Sequence, residues 1–385
     1  MSSDAVPQPA RDVREARLSY PATEEWAYFN TAVVGLASRT VADAYEAFLT
    51  EWMTNGLDYV RAEAAAENAR SSVAALMGTD PANVALIPSV STAAGFVAAQ
   101  LGEAASGESV VIGEQEYSSN HFPWRQLTSK GYEVRQVPFR SGGLEPDEVS
   151  KNVDAGTRLV AFSGVQSATG HRSDIAAISA LAREVGAIVF VDASQMLGAV
   201  SVRHQVAHVD VMATADHKFL MHAGRGLGYC YLSPRIRDDF IPINAGWRAG
   251  AVPFESFFGP RMELSPTASR FDNSISWVAA VGNEAALSAF DEFGPDTIHD
   301  RNAELSNLLR SALSDAGWPP IGVPAANQSS IVSVPVRDRD PSRVVAALKE
   351  RRITCAARDG NLRVAIHFYN HEDDIVRLVR ALSEI

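Results

Sequence analysis

The chain has 385 residues, of which 46% are hydrophobic and 21% charged, so it can bury a sizeable core and is neither disordered nor collagen-like. Its formal net charge of −12 argues against nucleic acid or an acidic membrane as a partner, because polyanions are repelled. The two cysteines are too few for a disulfide framework, the N-terminus is polar, and no apolar run reaches the roughly 18 residues that span a bilayer. We therefore expect a cytoplasmic protein with one large and one smaller domain.

The first part of the chain is predicted to be an arm followed by helices. Residues 1 to about 20 mix prolines with charges and have no long apolar period, so we assign 1–30 to an N-terminal arm and expect its first part to lie outside the core. Val41, Phe48 and their apolar neighbours recur at helical spacing, and Gly78 is expected to end a second helix.

Short apolar segments then alternate with helical patterns. This alternation is typical of an α/β domain with a mostly parallel sheet. The predicted strands of that sheet are 84–87, 109–112, 133–137, 159–162, 188–191, 209–213 and 228–232. The following segment, 235–266, contains Pro, Gly and aromatic residues without a clear period, which predicts a long connecting or active-site loop.

The C-terminal part is predicted to form a smaller α+β unit. Helical patterns at 275–290 and 297–316 precede further short apolar segments and a final helix over 372–382. We assign 31–255 to the large domain and 256–385 to the small domain.

Two polar residues follow predicted strands of the sheet. Asp192 ends the strand 188–191 at the edge where open α/β sheets bind ligands, although an Asp that caps the following turn is the commoner explanation for such a residue alone. Lys218, preceded by His217, follows the strand 209–213. Chemistry with pyridoxal 5′-phosphate (PLP) needs a lysine amine and a carboxylate that keeps the pyridinium nitrogen protonated. The pair therefore indicates a PLP site.

These stretches resemble the class V aminotransferase family, which also includes cysteine desulfurases and isopenicillin N epimerase-like proteins. The resemblance runs from about Tyr28 to the end of the chain. It implies an α/β enzyme of PLP fold-type I, with a mostly parallel seven-stranded sheet in the large domain and a smaller α+β C-terminal domain. It also implies that Lys218 is the catalytic residue that holds PLP as a Schiff base. The implied partners are a small-molecule amino-acid substrate and a second copy of the chain, in a homodimer with shared active sites.

The resemblance also implies which residues bind the cofactor. Tyr117 would stack on the pyridine ring, where desulfurases usually carry His, and Ser167 and Gln195 would face the phenolic oxygen. Ala215 stands where the family often has a phosphate-binding Ser, so either Thr214 replaces it or other residues suffice. The implied phosphate ligands are Ser91, Thr92, Ala93, Thr214, His217 and, reaching across the dimer, Ser274.

A third set of residues is implied to bind the substrate. Arg363 resembles the family residue that clamps the α-carboxylate by a bidentate pair, and a surface ion pair is the alternative. Arg248 lies in an aromatic loop, looks exposed, and is assigned to a pocket for a bulky substrate, although a dimer-contact loop is equally consistent. The turn beside the substrate is implied to consist of Asn30, Thr31 and Ala32.

The sequence leaves the reaction open. Cys355 lies in a compact segment without the long loop that carries the nucleophilic Cys of desulfurases, so a persulfide relay is disfavoured. Our first choice is β-elimination, a carbon–sulfur lyase reaction, on a bulky S-substituted cysteine. The alternatives are decarboxylation-coupled oxidative deamination and an aminotransferase or epimerase reaction. From another class, a non-catalytic PLP-fold binding subunit is disfavoured because Lys218, Asp192 and Arg363 occur together.

Overall fold

The computed structural model describes residues 12–222, 224–259 and 262–385. The strands of these ranges are β1 Ala27–Tyr28, β2 Val84–Ile87, β3 Ser109–Gly113, β4 Glu133–Val137, β5 Thr157–Ser163, β6 Ile188–Asp192, β7 Val211–Ala215, β8 Gly228–Leu232, β9 Ile331–Pro335, β10 Ile353–Thr354, β11 Ala356–Arg358 and β12 Asn361–Ala365. The α-helices are α1 Arg39–Asn55, α2 Tyr59–Met77, α3 Val90–Gln100, α4 Phe122–Arg125, α5 Pro146–Ser150, α6 Ile175–Glu184, α7 Pro234–Arg237, α8 Trp277–Phe293, α9 Pro295–Asp315, α10 Pro341–Glu350 and α11 Glu372–Ser383. None of the helices in these ranges is long and apolar enough to cross a membrane.

A seven-stranded sheet forms the centre of the molecule, as the alternating pattern predicts. Its order is β2-β8-β7-β6-β5-β3-β4, and β8 runs in the opposite direction to the other six strands. Asp192 at the end of β6 is in register with Ala213 of β7 and with Ser163 at the end of β5. The carboxyl ends of three parallel strands therefore meet at one edge, where open α/β sheets place ligands.

Apolar side chains cover both faces of this sheet. Successive residues of a strand point to opposite faces, so Leu159 and Ala161 of β5 join one buried cluster while Val160 and Phe162 join another. Helices on each face bury these side chains, which is why the strands read as continuous apolar segments rather than alternating ones.

A separate antiparallel sheet, β11-β12-β9, forms the core of the smaller unit with α9, α10 and α11. The two-residue strand β1 joins this unit, because it pairs in parallel with β10 and Ala365 N–H donates to Phe29 O. Phe29 is buried in the same cluster as the C-terminal strands. The polypeptide that enters the cavity wall at Ala32 is thus attached to the C-terminal unit.

The clusters do not divide the chain at residue 255. Helix α8 packs against α1 and α2, and its Ala280, Leu287 and Phe290 belong to a buried cluster of the large sheet. The N-terminal arm also differs from the prediction within its described part. Val13, Ala16 and Tyr20 are buried in the core, and the Arg17 guanidinium donates to the Asp374 carboxylate at 2.7 Å. Residues 1–11 lie outside the described residues.

Candidate active site

A cavity of about 370 Å³ opens at the carboxyl edge of the large sheet. It is bounded by the ends of β5, β6 and β7, the N-terminus of α3, the turn after β1 and the hairpin β11–β12. Eight residues singled out from the sequence line it: Ala32, Tyr117, Ser167, Asp192, Gln195, His217, Lys218 and Arg363.

Lys218 follows β7 with its side chain half-buried in the cavity. Burial lowers the pKa of its amine to about 8, Asp192 opposes this shift, and Arg363 adds to it. Nζ lies 5.4 Å from the centre of the Tyr117 ring. Gly35 approaches the Lys218 carbonyl so closely that a Cβ would lie 2.7 Å from its oxygen, so the chain needs glycine there. Because the pKa of the Lys218 amine is lowered to about 8, part of the amine is neutral at physiological pH.

Asp192 places a carboxylate on the floor of the cavity. It is 5% exposed, and its Oδ1 accepts a hydrogen bond from Ser194 N–H at 2.8 Å. The turn explanation is thus correct for one oxygen, while the residue also lines the cavity. The Asp192 side chain therefore both caps the following turn and lines the cavity.

Ser167 and Gln195 are hydrogen-bonded to each other beside Arg363. Gln195 Nε2 donates to Ser167 Oγ at 3.2 Å and to Ala32 O at 3.0 Å, whereas Gln195 Oε1 is buried without a partner in the described chain. Arg363 Nη1 donates to Ser167 O at 2.9 Å and to Ser167 Oγ at 3.1 Å. The small unit is thereby joined to the turn after β5.

Arg363 is a buried cation without a carboxylate partner. Its side chain is 1% exposed, and Nε and Nη2 make no hydrogen bond to any residue that the structure describes. Burial lowers its pKa to about 9, and the nearby Arg358 contributes to that shift. Since burying unpaired guanidinium donors is costly, these atoms indicate a binding site for an anion such as a carboxylate.

A second buried acid lies behind Tyr117. Glu116 Oε1 accepts from Ser163 N–H at 2.8 Å, and Oε2 accepts from the Ser163 hydroxyl. Burial raises the pKa of Glu116 to about 7, the Ser163 hydrogen bonds oppose the shift, and Asp192 adds to it. Ser163 is in register with Asp192, so Glu116 supports the floor of the cavity from behind.

The anion-binding end of the cavity lies at the N-terminus of α3. Ser89 and Val90 line the cavity, whereas Ser91, Thr92 and Ala93 do not. Ser89 is the N-cap of α3 and its Oγ accepts from Thr92 N–H at 3.2 Å. The first N–H groups of a helix form an anion site, so the phosphate-binding role of Ser91, Thr92 and Ala93 stays a prediction.

Several other predicted site residues lie away from the cavity in this single chain. Thr214 is fully buried with its hydroxyl bonded to Ala215 O at 3.2 Å. Thr31 is buried with its hydroxyl against that of Tyr369, and Asn30 forms a bridge with Ala365. Ser274 is exposed outside the cavity lining.

Arg248 is not the exposed residue that the sequence suggested. It is 4% exposed and pairs with Glu63, with Glu67 at 3.2 Å and with Asp272 at 3.5 Å. The loop that carries Arg248 folds against α2 and forms part of a separate groove, where the buried Glu63 and Asp272 and the exposed Glu67 pair with its guanidinium. The assignment of Arg248 to the cavity around Lys218 is therefore corrected.

The cavity also contains residues that the sequence analysis missed. Asp216 lies between the strand and His217, and Arg225 lies in the Gly-rich segment 224–228 that leads into β8. Arg358 lies on β11, paired across the hairpin with Asn361 and close to Arg363 in sequence. Proximity in sequence to Lys218 and Arg363 was the available signal for all three.

This arrangement fits PLP. It provides an amine, a carboxylate at the end of a strand, a half-exposed aromatic ring, and a helix N-terminus beside His217 for a phosphate. Across the described ranges, no group of three or more His, Cys, Asp and Glu residues is placed to hold a metal ion.

Residues 27–378 match the family model described as aminotransferase class-V. The chain belongs to this family. It is 26% identical over 349 residues to an uncharacterised aminotransferase of Bacillus subtilis, covering 90% of this chain and 89% of that protein. It is 27% identical to isopenicillin N epimerase of Streptomyces clavuligerus, covering 92% and 94%, and 27% identical to a probable cysteine desulfurase of Methanothermobacter thermautotrophicus, covering 85% of each.

Solved structures show the same fold. The apo cysteine desulfurase of Thermococcus onnurineus superposes with a TM-score of 0.83 at 21% identity, covering 98% of both chains. A cystine C–S lyase in complex with its product cysteine persulfide gives a TM-score of 0.85 at 20% identity, covering 95% of this chain and 99% of the other. The predicted fold-type I architecture is confirmed, and this class V member is a PLP-dependent enzyme that acts on amino acids.

Proposed function

We propose that this class V enzyme catalyses β-elimination from an S-substituted cysteine and releases a thiol, pyruvate and ammonia. One observation carries the proposal. The Lys218 amine and the free donors of Arg363 line one cavity, while both cysteines of the chain are buried elsewhere. The cavity thus suits an amino-acid substrate, but it has no thiol of its own to accept sulfur.

Arg363 binds the substrate α-carboxylate in this proposal. Nε and Nη2 are the two donors left without partners, and a guanidinium edge can bind a carboxylate through two parallel hydrogen bonds. Nη1 is already held by Ser167, so the guanidinium is oriented before the substrate arrives. The clamp fixes the substrate α-carbon near Lys218.

The cofactor residues are proposed from the same cavity. Asp192 pairs with the pyridinium nitrogen, Tyr117 covers the ring, and Gln195 and Ser167 face the phenolic oxygen. The N-terminus of α3 and His217 bind the phosphate. When bound, PLP accepts the electron pair left at the α-carbon, which is the chemistry that side chains cannot supply themselves.

Lys218 moves the protons. The lowered pKa leaves part of the amine neutral, so Nζ can take the proton from the substrate α-carbon. The resulting ammonium can then protonate the departing sulfur as the bond from the β-carbon to sulfur breaks. Water hydrolyses the eliminated product, so one conjugate and one water give one thiol, one pyruvate and one ammonia.

The two cysteines do not fit a sulfur relay. Cys355 lies between β10 and β11, is 4% exposed, and has a pKa raised to about 12 by burial. Cys230 is completely buried on β8, and burial raises its pKa still further. Because the thiolate is the nucleophile, neither side chain is suited to attack a substrate sulfur.

The test is product analysis with the PLP-loaded enzyme and a panel of S-substituted cysteines. We expect thiol, pyruvate and ammonia in equal amounts, and a Cys355→Ala variant with a rate within about twofold of the wild type. Alanine with loss of activity in Cys355→Ala would instead indicate a desulfurase. Carbon dioxide with an aldehyde would indicate decarboxylation, and D-amino acid or a keto acid without thiol would indicate epimerisation or transamination.

The size of the sulfur substituent remains a prediction. The aromatic loop on which it was based packs within itself, with Trp247 against Phe254 and Phe257, and it does not line the cavity of its own chain. The panel therefore includes both small and bulky conjugates.

We also propose a homodimer in which this loop or Ser274 reaches a partner's cavity. Measuring the molar mass of the protein in solution by light scattering tests whether it is a dimer.

A further inference from the structure

A buried group of hydrogen-bonded polar side chains lies directly behind the lysine turn. It connects the end of β7 to α1, α8 and β8. Its members are Tyr45, Asp216, His217, His222, Tyr229 and Asn283. These hydrogen bonds join side chains to one another and are not part of the backbone pairing of the sheet.

Asp216 is the centre of this group. Its Oδ1 lies 3.2 Å from His217 Nδ1, and its Oδ2 lies 2.8 Å from His222 Nδ1. Asn283 Nδ2 also donates to Oδ2 at 3.1 Å. Burial alone would raise the pKa of Asp216, but the hydrogen bonds from His217 and His222 lower it below its usual value, so the carboxylate is ionised. An ionised carboxylate only accepts, and both imidazoles must therefore carry a proton on Nδ1.

The outer residues hold Asp216 and His222 in place. His222 Nε2 lies 2.5 Å from the Tyr45 hydroxyl, and Asn283 Oδ1 accepts from the Tyr229 hydroxyl at 3.2 Å. Space for the Tyr45 contact depends on Gly282, since a Cβ there would overlap the Tyr45 hydroxyl and approach His222 Nε2 to 2.8 Å. The backbone of α8 is thus fitted to this contact.

His217 differs from His222 because one of its edges lines the cavity. It is 8% exposed, and with Nδ1 bound to Asp216 its Nε2 is the ring nitrogen left for a ligand. An anion at that edge of the cavity is bound through an N–H on Nε2, while the contact with Asp216 holds the orientation of the ring.

We propose that Asp216 is a positioning residue that holds the Nδ1–H and the orientation of His217, so that the other ring N–H, on Nε2, donates to the phosphate of the bound cofactor. His222, Asn283 and Tyr45 act through Asp216. The arrangement follows the general rule that the second nitrogen of a functional imidazole is oriented by a carboxylate. It rests on the phosphate-binding role proposed above for His217 and is independent of which amino-acid reaction follows.

The first test reads the tautomer without any turnover. Full-length enzyme labelled with ¹⁵N-histidine is studied by long-range ¹H–¹⁵N NMR, with and without PLP, and the signals are assigned with His217→Gln and His222→Gln. In the wild type we expect Nδ1-protonated rings for both residues. In Asp216→Asn the amide cannot accept from both imidazoles, so we expect His217 to show a mixture of tautomers. An unchanged His217 signal in Asp216→Asn would overturn the proposal.

The second test measures the dissociation constant of PLP. We expect Asp216→Asn to weaken PLP binding about 10-fold to 100-fold and His217→Gln to weaken it by a similar factor. Losing a hydrogen bond to a charged group reduces a binding constant by about this factor. The double variant should bind no more weakly than either single variant, because the two residues act as one unit. Independent losses that multiply in the double variant would contradict the proposal.

Two controls separate positioning from stability. Asp210→Asn removes another buried carboxylate beside the start of β7, paired with Arg235 at 2.6 Å, and should lower the melting temperature without changing PLP affinity. Tyr45→Phe removes only the hydroxyl that contacts His222, so it should fold even where Asp216→Asn does not. We expect it to weaken PLP binding about 2-fold to 5-fold in the presence of His217 and not in its absence. If Asp216 and Tyr45 had a purely structural role, Asp216→Asn and Tyr45→Phe would behave like Asp210→Asn, with a lower melting temperature and unchanged PLP affinity.

Discussion

Two buried arginines, Arg363 and Arg248, are almost equally inaccessible and lie in opposite electrostatic surroundings. Arg248 is 4% exposed and is surrounded by carboxylates from α2 and from Asp272. Arg363 is 1% exposed, donates through Nη1 to Ser167, and has no hydrogen-bond partner for Nε and Nη2 among the described residues. Burial alone therefore does not distinguish an arginine that stabilises the fold from one that binds a ligand.

The difference lies in whether the protein itself satisfies the charge. The cluster around Arg248 also contains Arg70, whose Nη2 lies 2.5 Å from Asp272 Oδ2, so each guanidinium there is paired with carboxylates. In the cavity, Lys218 and Arg363 face Asp192 with further arginines at the rim. An excess of unmatched donors, tolerated at a cost to stability, marks the region where a ligand supplies the missing partner.

The largest effect is expected from Lys218→Ala. We expect the visible absorbance band of the covalently bound cofactor to disappear and kcat to fall by more than about 10³-fold, because the covalent anchor and the proton carrier are lost together. Lys130→Ala is the matched control, since the partners of Lys130 Nζ among the described residues are the backbone carbonyls of Ala98 and Leu101, the latter at 2.6 Å. An equal fall of kcat in both variants would contradict the proposed role of Lys218.

Arg363→Met should affect substrate binding more than stability. We expect KM to rise about 10-fold to 150-fold, which corresponds to the loss of charged hydrogen bonds worth about 1.5–3 kcal/mol. The melting temperature should stay the same or rise, because an unpaired buried cation is replaced by an apolar side chain. A variant with normal KM and a large loss of stability would show that Arg363 resembles Arg248 after all.

Arg248→Met is the converse experiment. Removing one partner from a buried ion cluster typically costs about 3–5 kcal/mol, so we expect a clear fall in the free energy of unfolding, measured with denaturant. KM of the folded fraction should change less than about twofold. An increase in KM comparable to that of Arg363→Met would restore the substrate role that the sequence first suggested.

A smaller effect, confined to a pH window, is expected at Glu116. Its pKa rises from 4.5 to about 7 on folding, so the folded state holds the proton more tightly. Its contribution to stability is complete below pH 4.5 and is lost as the pH rises through about 7, with an upper bound of about 3 kcal/mol. The Gln side chain of Glu116→Gln stays neutral. Between pH 5 and pH 8 the melting temperature of this variant should therefore fall less than that of the wild type. Parallel pH profiles for the two proteins would contradict this.

The sequence predicted those site residues that follow directly from local patterns. Asp192 and Lys218 each follow an apolar strand, and the carboxyl ends of neighbouring parallel strands meet, so their proximity could be expected before any coordinates. Arg363 was recognised from its strand and its resemblance to the family. The seven strands were found because burial on both faces leaves continuous apolar segments.

What the sequence could not predict depends on contacts between distant segments. Two of the carboxylates that bind Arg248, Glu63 and Glu67, come from α2, far earlier in the chain, and no local pattern around Arg248 reveals them. The direction of the Thr214 hydroxyl and the triple contact of Asp216 depend on side-chain orientation, which a linear pattern does not contain. Ser274 was assigned to a partner's site, and a single chain does not test that assignment.

The pairing of β1 with β10 has a consequence for biosynthesis. Ala27 is in register with Ile353, so a strand made at the start of translation waits for almost the entire chain before it finds its partner. Ala32, Val33 and Val34 in the cavity wall follow that strand directly. Contacts so distant in sequence form late and slowly, because the entropy of closing a long loop has to be overcome first. A nascent chain released before its last residues would therefore contain the lysine and its sheet, yet lack one wall of the cofactor pocket.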